Sequence, residues 1–182
     1  MSSKKGFIGS ILICSVLFLF IYTFFHEGGH ALIAMLYGGK ITEFTLGLNA
    51  HVNYQGANFS RFGWALCSVA GVLLPLCVSA IAISFYRSNA RSAFYHTFHL
   101  MISVGLTFSL LPWLFIPVIS LFTSPPPGDD VTHFLQASAL HPLPVSLGAL
   151  LLISAFVLLI FKKGIPAKIK EISFWLNQKK TA

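Results

Sequence analysis

The sequence predicts an all-α polytopic membrane protein. It has about four transmembrane helices, a short membrane-associated β-hairpin between the first and second, and a C-terminal amphipathic helix. Three observations predict this. Hydrophobic residues make up 55% of the 182-residue chain and charged residues 9%, against about 25% charged in soluble domains. The apolar residues gather into four stretches, each near or beyond the length that crosses a bilayer, about 20 residues. The cations flank those stretches, which is the pattern of membrane topology signals. One domain spanning residues 1–182 accommodates the pattern, with no internal repeat or low-complexity linker to divide it.

The first stretch covers residues 7 to about 37 and is closed by Gly38 and Gly39. Lys4 and Lys5 ahead of it resemble the start of a secretion signal. The apolar run is longer than a signal core, however, and no small-residue cleavage site follows it. It therefore reads as a retained helix. Next comes KITEFTLGLNAHVNYQGANFSRFG, residues 40–63. Its β-branched residues, partial alternation and Gly/Asn punctuation predict a hairpin, with a plain surface loop as the alternative.

The second stretch is 64–86. The third is 93–122, with Pro112 and Pro117 as its expected break points. In TSPPPGDDVTHFLQASALHPLP, residues 123–144, three prolines and Gly128 stop the incoming helix. Asp129 or Asp130 can then cap a short helix reaching about Leu140. The fourth stretch is 143–161, ended by Lys162, Lys163 and Gly164. Beyond it, Ile165, Ile169, Ile172 and Leu176 recur at helical spacing beside Lys168, Lys170, Lys179 and Lys180. This predicts an amphipathic helix on an anionic membrane face, with the lipid bilayer as its partner.

The formal charge of +7 comes from 12 Lys and Arg against 5 Asp and Glu. Because these cations border apolar runs, they speak for lipid and topology rather than nucleic acid. The N-terminus carries two, the 87–93 loop two and the C-terminal tail six; the first loop carries two and the 123–142 loop none. Both termini are therefore expected in the cytoplasm. Cys14, Cys67 and Cys77 all lie in apolar runs and form no CxxC pair, so they read as small buried hydrophobes.

The segment FFHEGGHALI places three titratable groups inside the first apolar stretch. Ionisable groups at membrane depth are costly and usually functional. His26 and His30 are four residues apart, so their imidazoles share one helical face. With Glu27 between them they form H-E-x-x-H, the zinc-binding pattern in which the Glu reaches a metal-bound water. A catalytic zinc takes three protein ligands, and the chain has only five acids to supply the third: Glu27, Glu43, Asp129, Asp130 and Glu171. By topology Glu171 falls on the wrong side, and Glu43 lies in the hairpin. Asp129 and Asp130 share the outward side with the histidines, one serving as ligand and the other as helix cap. The residues themselves leave that choice open. Among the other histidines, His96 and His99 are expected at the cytoplasmic interface, and His51, His133 and His141 face outward.

These segments resemble the site-2 protease family of intramembrane zinc metalloproteases, and within it the small bacterial branch. The resemblance covers most of the chain. It rests on HEGGHALIAMLYGGKI, on SVAGVLLPL from Ser68 to Leu76, and on GDDVTHFLQASALHPLP. The family often has Pro and Asn where this chain has Val72 and Pro75, and Asp-Gly where it has Asp129-Asp130. In the small branch an Asp followed by Val opens a short helix, which favours Asp130 as the ligand. The resemblance implies Zn2+ held by His26, His30 and Asp130 (or Asp129), with Glu27 as general base. It also implies transmembrane or membrane-associated protein substrates, and a bacterial cytoplasmic membrane with the active site toward the outer side.

Gly28, Gly29, Ala70 and Gly71 would leave room for close helix packing. Asn49 and Asn53 are candidate oxyanion donors. The 41–55 stretch is a candidate platform for strand addition by an unwound substrate; a proline introduced between Ile41 and Asn53 should then impair cleavage, and full retention of activity would count against it. Two other readings compete. A non-catalytic membrane regulator or chaperone would keep the fold and the metal without needing Glu27. A metal transporter would need polar groups through several helices, which the fourth stretch lacks.

Overall fold

The computed structural model describes residues 4–178, so Lys179 and Lys180 lie outside the described residues. Helix α1 (Lys4–Leu36) leads into strands β1 (Lys40–Thr45) and β2 (His51–Gln55). Then follow α2 (Arg61–Phe85), α3 (Ala93–Phe108), α4 (Leu111–Ile119), α5 (Asp130–Ser138), α6 (Pro142–Lys162) and α7 (Ile165–Gln178). Four segments are long and apolar enough to cross a membrane: α1, α2, α3 with α4, and α6. The chain is thus an integral membrane protein of the predicted class. Strands β1 and β2 pair antiparallel from Lys40↔Gln55 to Thr45↔His51, with an irregularity between Ile41 and Glu43, which sets aside the plain-loop alternative.

Helix α2 is the centre of the bundle. Its Val72 and Leu76 pack with Leu110, Trp113, Val131, Ala149 and Ile153, joining α2 to α4, α5 and α6. At the other end, Ile83 and Tyr86 pack with Ile160 and Ile165. Between α2 and α3 the apolar packing gives way to hydroxyls. The Ser79 hydroxyl donates to the Ser103 carbonyl at 3.0 Å and lies 3.2 Å from the Thr107 hydroxyl. Buried polar links of this kind join helices where lipid supplies no hydrophobic drive.

Four expectations need correction, the first being that Cys77, unlike Cys14 and Cys67, is exposed rather than buried. The third apolar stretch breaks at Ser109 and Leu110, ahead of Pro112. Pro112 occupies the first turn of α4, where a missing N–H is harmless, and Pro117 sits inside α4 without ending it. His96 and His99 are buried rather than interfacial. Residues 86–92 fold back over the start of α3. There Tyr86 Oη lies 2.9 Å from His96 Nδ1, and His96 Nε2 donates to the Ala90 carbonyl at 2.8 Å. His99 Nδ1 donates to the Ala82 carbonyl at 2.9 Å. Finally, α7 turns part of its apolar stripe into the protein: Ile165 is fully buried in the second cluster.

Candidate metal centre

Helix α1 carries His26, Glu27 and His30 on consecutive turns, and α2 runs alongside. The helices approach closely because α1 presents Gly29 where α2 presents its backbone. A Cβ on Gly29 would strike the Ala70 carbonyl oxygen and would lie 2.6 Å from the Ala70 carbonyl carbon. This closeness lets His30 Nδ1 donate to the backbone carbonyl of Cys67 at 2.9 Å. With its proton committed there, the ring presents the Nε2 lone pair.

The third group arrives on α5. Asp129 is the N-cap of that helix. Its carboxylate accepts from the Val131 N–H at 2.8 Å, the Thr132 N–H at 3.3 Å and the Thr132 hydroxyl. Val131, 1% exposed, anchors the helix in the core, and Phe134 packs edge-on against Trp113. Asp130, the first helical residue, is thereby held at α1. Its Oδ2 lies 3.3 Å from His26 Nε2 and 3.2 Å from His30 Nε2, while the two Nε2 atoms are 3.4 Å apart.

This triangle suits a divalent cation. Tetrahedral zinc with bonds near 2.0–2.1 Å separates its ligand atoms by about 3.3–3.4 Å, close to the three distances present. The donor set is also right for zinc. Two imidazole lone pairs and a carboxylate oxygen converging on one point repel one another unless a positive charge lies between them. Among the described residues, His26, His30 and Asp130 are the one group of three His, Cys, Asp or Glu side chains that converges in this way.

Glu27, 8% exposed, opens on a cavity of about 530 Å3 that the three ligand residues also line. Tyr22, Val72, Trp113, Ile116 and the hairpin residues from Ala50 to Val52 complete much of the wall. His133 also lines the cavity. The Asn53 amide donates to Glu43 at 2.8 Å, and neither asparagine proposed as an oxyanion donor is among the lining residues. Glu171 pairs with Lys168 at 2.9 Å, away from the centre.

Sequence reasoning missed Tyr22 and Tyr54. Tyr22 is one turn before His26 and packs against it, with ring centroids 5.4 Å apart, so the spacing that paired the histidines would have found it. Tyr54 follows Val52 by two residues and shares its strand face. Burial and the neighbouring Cys67 push its hydroxyl up to about 12, so at working pH it is a neutral donor.

Glu43 and His51 form an exposed pair across the hairpin. His51 Nδ1 donates to the Asn49 carbonyl at 2.8 Å, and its Nε2 lies 3.3 Å from Glu43 Oε1. These two contacts raise its pKa, the Asn49 bond first. The Asn53 amide, then His51, lowers that of Glu43. A raised imidazole value stabilises the fold at low pH and is lost as pH rises through it. A lowered carboxylate value is lost as pH falls through it. The pair is therefore intact only between the two. Glu43→Gln should move the His51 pKa downward in an NMR titration; an unchanged value would show that Glu43 does not hold the ring.

A family model described as Peptidase M50B-like matches residues 7–124. The match takes in His26, Glu27, His30, the hairpin and helices α2, α3 and α4, and it ends before Asp129 and Asp130. No curated protein and no solved structure matches the chain. With about two thirds of its length matched, including the whole H-E-x-x-H segment, this membrane-spanning chain belongs to the Peptidase M50B-like family.

Proposed function

We propose that the protein is an intramembrane zinc metalloprotease that hydrolyses peptide bonds of transmembrane or membrane-associated proteins. The observation that carries this reading is the triangle of His26 Nε2, His30 Nε2 and Asp130 Oδ2, with sides of 3.2 to 3.4 Å. These three residues would hold the zinc. When bound, zinc supplies Lewis acidity that brings the pKa of water toward about 7 and polarises a carbonyl.

The remaining work falls to this chain's residues. Three protein donors leave a four-coordinate ion one position for water or substrate. Glu27, opening on the same cavity, takes the proton from water and returns it to the leaving amine. Asp129 and Thr132 fix the start of α5, and so the reach of Asp130. Val72, Trp113 and Ile116 keep one wall apolar, which limits bulk water at the reacting bond.

The charge distribution supports an arrangement with both termini on the cytoplasmic side and the site toward the outer side; a bacterial cytoplasmic membrane is what the resemblance to the small bacterial branch implies. Arg87 and Arg91 lie on the loop between α2 and α3, and Lys162, Lys163, Lys168 and Lys170 follow the last span. Tyr86, at the start of that loop, packs with Ile165 of α7, and Lys163 donates to the Ser84 carbonyl at 3.2 Å, so loop and tail share one end.

The test is metal content and cleavage measured together. Chain purified in detergent and equilibrated with zinc should retain one ion and cleave a membrane-anchored reporter. Asp130→Asn should weaken zinc binding by at least about 100-fold, beyond the usual effect of an outer-shell partner, and abolish cleavage. Asp129→Asn should keep the ion. A wild-type chain that binds no zinc, or cleavage that survives chelation, would refute the reading.

A further inference from the structure

We propose that Pro75, in the interior of α2, is a positioning residue for His26: it frees the Gly71 carbonyl to accept the proton on His26 Nδ1. The proposal rests on the zinc reading above. Within an α-helix the N–H of each residue bonds to the carbonyl four residues earlier. Proline has no N–H, and its ring crowds that carbonyl. Pro75 therefore strips Gly71 of its helical donor. A proline at position 72, where the resembled family often has one, would strip Ser68 instead.

The register of the two helices gives the vacant carbonyl a use. On α1 the imidazoles are four residues apart. On α2 the groups facing them, Cys67 and Gly71, are also four apart, and the helices run antiparallel, so His30 meets Cys67 and His26 meets Gly71. Gly71 has the space for this only as glycine: a Cβ there would strike His30 Nε2 and lie 3.0 Å from His26 Cε1.

The His30 half of the arrangement is closed, at 2.9 Å. In the other half, His26 Nδ1 is buried and has no hydrogen-bond partner among the described residues, while Gly71 lies beside the ring, the place of a Cβ on it being 3.0 Å from His26 Cε1. Leaving a buried N–H unpaired is costly, so a small shift that closes the contact is favoured. Closed, it holds the proton on Nδ1 and turns the Nε2 lone pair toward Asp130 and His30. Two carbonyls on successive turns of α2 then set both tautomers.

Pro75→Ala restores the N–H and returns the Gly71 carbonyl to its helix. The variant should bind zinc about tenfold to a hundredfold more weakly, the usual effect of removing a ligand's outer partner. Its melting temperature should not fall, because alanine suits a helix interior better than proline. In the metal-free protein, 15N shifts of His26 should show the proton on Nδ1 in wild type and shared between the nitrogens in the variant. Pro117→Ala makes the same change in α4 and should leave zinc affinity alone. Should Pro75→Ala fail to fold, Pro75→Val restores the same N–H at closer volume and carries the same test. Wild-type zinc affinity in the variant, or an unchanged His26 tautomer, overturns the proposal. If instead His26→Ala binds zinc as wild type does, the metal centre itself is refuted.

Discussion

Glu27→Gln is expected to slow cleavage by about 10²- to 10⁴-fold, the range a positioned general base contributes, while one zinc stays bound. Glutamine keeps the size and shape of the side chain and removes its basicity. The three converging ligand atoms belong to His26, His30 and Asp130, so the substitution leaves the metal's donors in place. Glu27 is buried on α1 and opens on the same cavity, where a carboxylate has little structural reason to be. Zinc content and reporter cleavage measured on one preparation check the prediction. Loss of zinc would place Glu27 among the ligands. Retention of near wild-type cleavage would move the base elsewhere, with His51 and His133 among the other proton acceptors on the cavity wall. A scaffold that merely keeps the fold would cleave nothing in either form.

The second large effect separates two adjacent glycines that look alike in sequence. Gly29→Ala should cost about 1–3 kcal/mol, the range for overpacking a tight interior, and should weaken zinc binding as well. The new methyl group would run into the Ala70 carbonyl and lie 3.0 Å from the Gly71 nitrogen. These are backbone atoms that cannot rotate away. Helix α1 must then lift from α2, stretching the His30–Cys67 bond that orients one ligand. Gly28→Ala meets only a Leu74 methyl at 3.9 Å, an ordinary contact. It should be tolerated and gain up to about 1 kcal/mol from helix propensity. Thermal unfolding of the two variants side by side checks the pair; equal loss in both would show that the helix crossing is looser than described.

The sequence made the spans legible because membrane helices are written in long apolar runs that tolerate little ambiguity. The H-E-x-x-H face was legible for a similar reason, since i and i+4 always share a helix side. The third group was harder. Asp129 and Asp130 are adjacent, and only the cap geometry separates them: Asp129 turns back onto the Val131 and Thr132 amides, and Asp130 is left to reach α1. His96 and His99 were misplaced because their burial depends on the fold-back of residues 86–92, a tertiary event with no local periodicity. Tyr54 was missed because its own strand alternates regularly, and only the folding of the hairpin over α1 brings it to the cavity.

The contact between His30 and Asp130 joins positions 100 residues apart in a chain of 182. An ion gripped there ties the first helix to a nine-residue helix that arrives after three of the four crossings. Such a tie works as a removable cross-link: it restricts the unfolded chain, and its binding energy becomes energy of assembly. Withdrawing the metal should therefore loosen the association of α5 with α1 before any helix melts, so that chelation weakens architecture as well as chemistry.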